Sequence, residues 1–168
     1  MIIGAPGSSL VTVEESGNGV FRGRDKVVND GEYFAGYVDG AGAAGEYGHA
    51  QLKNPTGSGV TVIIDGLMIK MDDAARVNFA FYDTDLTTLA GTWDVQHTTG
   101  GTGVAQLRSE SNVSPLGGSF WSMETGSPGE GQNIVFPWGI QLAEGEGFLL
   151  RCQNVADDVE AYIYGRQV

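Results

Sequence analysis

The chain has 168 residues, 41% of them hydrophobic, which suits one domain with its own core and excludes an intrinsically disordered polymer. Nine Lys and Arg stand against 21 Asp and Glu, a net charge of -12. Nucleic acid and anionic bilayers both reward cations, so neither is expected as a partner, and the single cysteine, Cys152, excludes an intrachain disulfide.

Residues 1–47 hold ten glycines and only short apolar pieces. Leu10-Val11-Thr12-Val13, Gly19-Val20-Phe21 and Tyr33-Phe34-Ala35-Gly36-Tyr37-Val38 are each too short to form a core. Burying Val20, Phe21, Tyr33, Phe34 or Tyr37 is worth about 1.5–3 kcal/mol each. The expectation is therefore an extended arm, residues 1–47, that orders on a neighbour. Within it, Asp39-Gly40-Ala41-Gly42-Ala43-Ala44-Gly45 is a flexible connector. The first ten residues show no basic n-region and no long apolar run, so synthesis in a reducing cytoplasm is expected.

The compact part begins near Gly48. Residues 49–53 form a short strand, and Asn54-Pro55-Thr56-Gly57-Ser58-Gly59 a turn or short loop. Val60, Val62 and Ile64 share one face of the next strand, with Thr61 and Asp65 on the other. After Gly66 the phase flips, and Leu67, Ile69 and Met71 take the apolar face; a slip of one residue at a glycine predicts a β-bulge. Asp72-Asp73-Ala74-Ala75 turns the chain, after which Val77, Phe79 and Phe81 face inward and Arg76, Asn78 and Tyr82 outward. Further strands are expected at residues 92–97, 104–109, 118–123 and 133–138. Two late strands alternate more clearly: Phe148, Leu150 and Cys152 in one, Val159, Ala161 and Ile163 in the other. The fold class expected is all-β, an antiparallel β-sandwich of jelly-roll type with about eight or nine strands at residues 48–168, preceded by the Gly-rich arm.

Little in this frame carries chemistry. Gly40-Ala41-Gly42-Ala43-Ala44-Gly45 matches G-x-G-x-x-G, but no helix can follow it, so no dinucleotide cofactor is expected. His49 and His97 are too few for the metal cluster of an enzymatic jelly roll, and each is expected to be a polar surface or turn residue. Cys152 alternates with apolar neighbours as a small core residue. Asp72-Asp73, Asp83-Thr84-Asp85 and Asp157-Asp158 sit in predicted turns, without the spacing of an EF-hand loop. No nucleophile elbow and no P-loop occurs, so no catalytic residue and no metal site is expected. Trp93, Trp121 and Trp138 lie in or beside predicted strands, as core or interface residues or as a sugar-stacking platform. Tyr162 and Tyr164 lie opposite Val159, Ala161 and Ile163, on a face expected to pack against another chain or against the arm.

The segment Leu52-Lys53-Asn54-Pro55-Thr56-Gly57-Ser58-Gly59-Val60-Thr61-Val62 resembles the L-x-N-P-x-G-S-G strand–turn–strand opening of small virion proteins of tailed bacteriophages. These are commonly jelly-roll decoration (cement) proteins on the capsid exterior. The motif spans Leu52 to Gly59; the wider likeness covers residues 49–164. It implies a non-enzymatic structural protein that binds the major capsid protein shell and bridges neighbouring capsomers. It also implies a homodimer or homotrimer, made in the host cytoplasm and located on the virion exterior. The partner-contacting residues expected are Val20, Phe21, Tyr33, Phe34, Tyr37, Tyr162 and Tyr164. Two rival readings stay open: a carbohydrate- or receptor-binding sandwich of a phage fibre, tail or neck component, and a jelly-roll hydrolase with clustered carboxylates.

Overall fold

Short β-branched and aromatic runs punctuated by glycine form strands throughout the computed structural model, which describes residues 33–73, 76–95, 102–124 and 129–168. Val20, Phe21 and His97 lie outside the described residues. The strands are β1 (Tyr33–Ala41), β2 (Tyr47–Lys53), β3 (Val62–Met71), β4 (Arg76–Phe81), β5 (Thr88–Val95), β6 (Thr102–Asn112), β7 (Gly118–Glu124), β8 (Gly131–Leu142), β9 (Gly147–Val155) and β10 (Asp158–Gln167). All pairings are antiparallel, in the order β7-β4-β9-β2-β6-β5-β1-β10-β3-β8.

The ladder folds over at its thinnest splice. β5 meets β1 through only two pairs, Phe34↔Val95 and Ala35↔Asp94. On one side lies the six-stranded sheet β7-β4-β9-β2-β6-β5, on the other the four-stranded sheet β1-β10-β3-β8. Setting the β5–β6 hairpin aside leaves 1-10-3-8 over 2-9-4-7. In that pattern the first and last strands pair, and each inner pair follows in turn, which is the winding of a jelly roll. The hairpin is an insertion that extends one sheet beyond β2.

β1 corrects the boundary drawn from sequence at residue 47: Tyr33–Ala41 is a sandwich strand, paired with β10 along its whole length. Its inward positions are Phe34, Gly36, Val38 and Gly40, and the two glycines make the strand look too poor in apolar residues for a core. Their role is close approach. A Cβ on Gly40 would sit 2.5 Å from the His49 carbonyl carbon, so β1 lies directly against the backbone of β2. Phe34, expected to meet a partner, is 3% exposed and stacks on Trp93 with ring centroids 6.2 Å apart.

The phase change at Gly66 is present. Ile64 and Gly66 pair with the successive residues Gly165 and Tyr164, leaving Asp65 as the bulge. Val62, Ile64, Leu67, Ile69 and Met71 are thereby all buried. The displaced Asp65 carboxylate accepts two hydrogen bonds from Arg166 Nη1, at 2.6 and 2.7 Å. β8 answers the same point with a larger bulge: Ile64 pairs with Ile140 and Gly66 with Val135, so residues 136–139 loop out. Gly139, at φ 70°, turns the chain back there.

The core is continuous between the sheets, with Trp93, Phe79, Phe148, Leu52 and Leu150 among its fully buried members. Cys152 is buried within it, and desolvation pushes its thiol up to about 12, so it is inert packing. Trp93 Nε1 donates to the Ile163 carbonyl oxygen at 3.1 Å, tying β5 in one sheet to β10 in the other. Trp93→Phe keeps most of the ring and removes this bond. It should cost about 1–3 kcal/mol of folding stability, measured as a lower urea midpoint at unchanged slope.

Candidate functional site

The two outer faces of the sandwich differ. On the six-stranded sheet, His49, Gln51 and Lys53 point outward from β2 yet are almost fully buried. The β4–β5 loop covers Gln51 and Lys53: Gln51 Nε2 donates to the carbonyls of Tyr82 and Thr84 at 2.7 and 3.0 Å, and Lys53 Nζ donates to that of Asp83 and to that of Gly145 in the β8–β9 turn. Leu86 from that loop packs with Ala80 and Leu149 as a second small core.

His49 overturns its expected surface placement. It accepts a hydrogen bond at Nε2 from the Leu116 backbone N–H (3.1 Å), so Nδ1 carries the proton and faces the Glu110 carbonyl at 3.3 Å. Arg151 Nη1 holds the same loop, donating to the carbonyls of Leu116 and Gly117 at 2.8 and 3.0 Å. Neighbouring loops thus explain why polar residues of β2 are buried, and local alternation gives no sign of them. Asn78, expected outward, is also buried and donates to Gln153 Oε1 at 2.9 Å.

The turn in the Leu52–Gly59 motif is held by side-chain hydrogen bonds of Asn54 and Glu144. Asn54 is fully buried, and its Nδ2 donates to the carbonyls of Val60 and Leu142 at 2.9 and 3.0 Å. The Glu144 carboxylate accepts from the N–H groups of Gly57 and Gly59 at 3.0 and 2.8 Å, where both glycines have positive φ. Among the described residues no group of three or more His, Cys, Asp or Glu is placed to hold a metal ion.

On the four-stranded sheet, no described loop covers the outer face. Register builds it row by row. Tyr37, Tyr162, Met68 and Asn133 stand side by side across the sheet, then Tyr164, Gly66 and Val135, with Asp39, Glu160 and Lys70 on the opposite flank. Tyr37, Met68, Val135 and Tyr162 are 41–56% exposed. The Tyr37 and Tyr162 rings meet at 5.0 Å. Tyr164 lies over Gly66 and its hydroxyl reaches Asn133 Oδ1 at 3.3 Å. Burial, then Glu160 and Asp39, hold the Tyr37 hydroxyl up at about 12. Three of the expected contact residues, Tyr37, Tyr162 and Tyr164, thus come together; Phe34 is withdrawn into the core.

A second apolar surface lies where the two free sheet edges, β7 and β8, face each other. Phe81 shares its strand face with buried Phe79, as expected, but is 52% exposed because the sandwich is open there. Phe81 stacks on Phe120 at 4.9 Å, and Phe79 on Trp121 at 4.6 Å. Buried Phe148 touches both sides, reaching Phe120 of β7 at 6.4 Å and Phe136 of β8 at 6.2 Å. Beside Phe136, at the tip of the β8 bulge, Trp138 is 90% exposed. Of the three tryptophans, Trp93 is core, Trp121 spans core and surface, and Trp138 is solvent-facing.

No protein-family model, no curated protein and no solved structure matches this chain.

His49 supplies a pH test of the loop scaffold. Desolvation, against weaker opposing contributions from Glu110 and Tyr47, lowers its folded pKa below the ordinary value. The neutral form is therefore favoured by folding. Its stabilisation is complete above the unfolded value near 6.5 and is lost as pH falls from there towards the folded value, by at most about 1.4 kcal/mol per pH unit. Urea midpoints recorded between pH 7 and 5 should fall, and His49→Gln should flatten that dependence while lowering stability at pH 7.

Proposed function

We propose that this chain is a structural virion protein, a capsid decoration (cement) protein that binds the outer surface of a tailed phage's major capsid protein shell and bridges neighbouring capsomers. Two things support the family reading: the jelly-roll winding and the Leu52–Gly59 opening. The observation that supports the mode of contact is the aromatic edge formed by Phe81, Phe120, Trp121 and Trp138. A monomeric soluble domain gains nothing from a tryptophan held in water on a purpose-built bulge, whereas Trp and Phe at the centre of an interface supply much of its energy. The edge is rigid, because Phe79, Phe136 and Phe148 root it in the core, and rigid aromatics lose little entropy on docking. Self-association as a dimer or trimer would multiply such contacts over a repeating shell.

The exposure of Trp138 also favours a second reading, a carbohydrate- or receptor-binding sandwich of a fibre, tail or neck component, in which the indole is a stacking platform for a sugar.

Co-sedimentation with expanded, undecorated tailed-phage capsids separates the two. The decoration reading expects saturable binding at a stoichiometry matched to capsomer number, with Trp138→Ala costing about 2 kcal/mol or more of binding at unchanged folding stability. Absence of binding by the folded protein, together with a glycan-dependent change in Trp138 fluorescence, would establish the second reading in its place.

A further inference from the structure

The outer face of the four-stranded sheet sets an aromatic centre beside an unpaired carboxylate. Tyr37 and Tyr162 are register partners, their rings 5.0 Å apart and tilted by 48°, and Met68 stands next in the row. Two residues along, the same face carries Asp39, Glu160 and Lys70. Glu160 is already satisfied: Lys70 Nζ meets it at 2.6 Å. Lys70 first, then the Tyr37 hydroxyl, hold its carboxyl low against the opposing effect of burial. Asp39 beside it is exposed and makes no ion pair among the described residues. Desolvation, then the neighbouring charges of Asp158, Glu160 and Asp72, raise its carboxyl, with Lys70 a weaker counterweight.

The described residues cannot supply the missing cation, because their six Lys and Arg are all engaged. Lys53 and Arg151 donate to loop carbonyls, while Lys70, Arg76, Arg108 and Arg166 meet carboxylates. Sixteen Asp and Glu among residues 33–168 stand against these six. A second copy of the described sandwich brings the same shortage, so charge complementarity assigns the face to a different protein. Guanidinium is the cation that fits. Asp39 and Tyr37 lie two residues apart on one face, about 7 Å along the strand. A planar guanidinium forks onto a carboxylate and also lies flat on a neighbouring aromatic ring, whereas an ammonium is a point charge without that fork. Met68 and Val135, both exposed, extend the face as an apolar seat beside that arginine.

We propose that the outer face of β1, β10 and β3 is a docking surface for an arginine-bearing segment of a protein partner, its guanidinium seated between Asp39 and the Tyr37–Tyr162 pair. This surface is separate from the β7–β8 edge, so a sandwich with both can hold two partner molecules at once. The inference does not rest on the capsid reading and stands or falls separately from it.

Titration of the full chain with blocked triarginine and trilysine peptides tests it, read by NMR of labelled methionine methyl groups. Triarginine should shift the Met68 signal saturably, more tightly than trilysine, and leave buried Met71 in place as the control for folding. Asp39→Asn and Tyr162→Ala should each weaken triarginine binding by about threefold or more. Glu146→Gln, which removes a carboxylate in the β8–β9 turn at the opposite end of the sheet, should leave it unchanged. The proposal is overturned if triarginine does not move Met68. It is equally overturned if the two peptides bind alike and Asp39→Asn has no more effect than Glu146→Gln, since the shift then reports only attraction to a chain of net charge -12. A Met68 methyl as shielded as Met71 from a soluble paramagnetic agent in the free protein would also overturn it, because another part of the chain or a second copy then occupies the face.

Discussion

The close approach of β1 to β2 is the constraint on which the rest of the sandwich depends. A Cβ at Gly40 would press on the His49 backbone, so this packing exists only because the position is glycine. With β1 seated there, its outer edge pairs with β10 over nine residues, and β10 carries β3 and then β8. The four-stranded sheet is thus hung from one strand, and Trp93 locks it to the other sheet through Phe34 and the Ile163 carbonyl. A larger residue at Gly40 would push the layers apart and open the core along its length.

From this arrangement comes an uneven surface. The six-stranded sheet is roofed by its own connections, with Gln51 and Lys53 anchoring the β4–β5 loop and His49 and Arg151 anchoring the segment at Leu116 and Gly117. These polar anchors replace water with backbone carbonyls and N–H groups, so burial costs little. The four-stranded sheet has no such roof among the described residues, and the β7–β8 edge is left open with aromatic rings running from Phe148 outward. Polar investment on one side and apolar exposure on the other fit a body that keeps one surface for itself and offers another for contact. In the functional reading proposed above, adhesion is the chemistry, and the aromatic edge performs it.

Much of the strand plan was legible because β structure writes its period locally. The slip at Asp65-Gly66 is visible as a phase change between Ile64 and Leu67, and the alternation Val159, Ala161, Ile163 against Tyr162 and Tyr164 separates the core face of β10 from its outer face. What stayed hidden depends on contacts distant in sequence. β1 reads as arm because Gly36 and Gly40 occupy inward positions where a core strand ordinarily carries Val or Leu. His49 and Asn78 read as surface residues because period two says which face a residue takes, and nothing about which loop crosses that face. Phe81 takes the inward side and is still exposed, since a strand's neighbours, not its pattern, decide whether it lies near an open edge. Trp138 stands out in solvent because residues 136–139 loop away opposite Asp65, a mismatch between two strands that neither strand records alone.

The central claim is that the β7–β8 edge is the contact surface on a phage shell. Cryo-electron microscopy of capsids saturated with the full chain tests it most directly, at a resolution that distinguishes the two sheets. The account predicts that Phe120, Trp121 and Trp138 face the capsid protein, with the roofed six-stranded sheet turned to solvent. A bound sandwich that points this edge outward, or touches the shell through the β4–β5 loop, would contradict it.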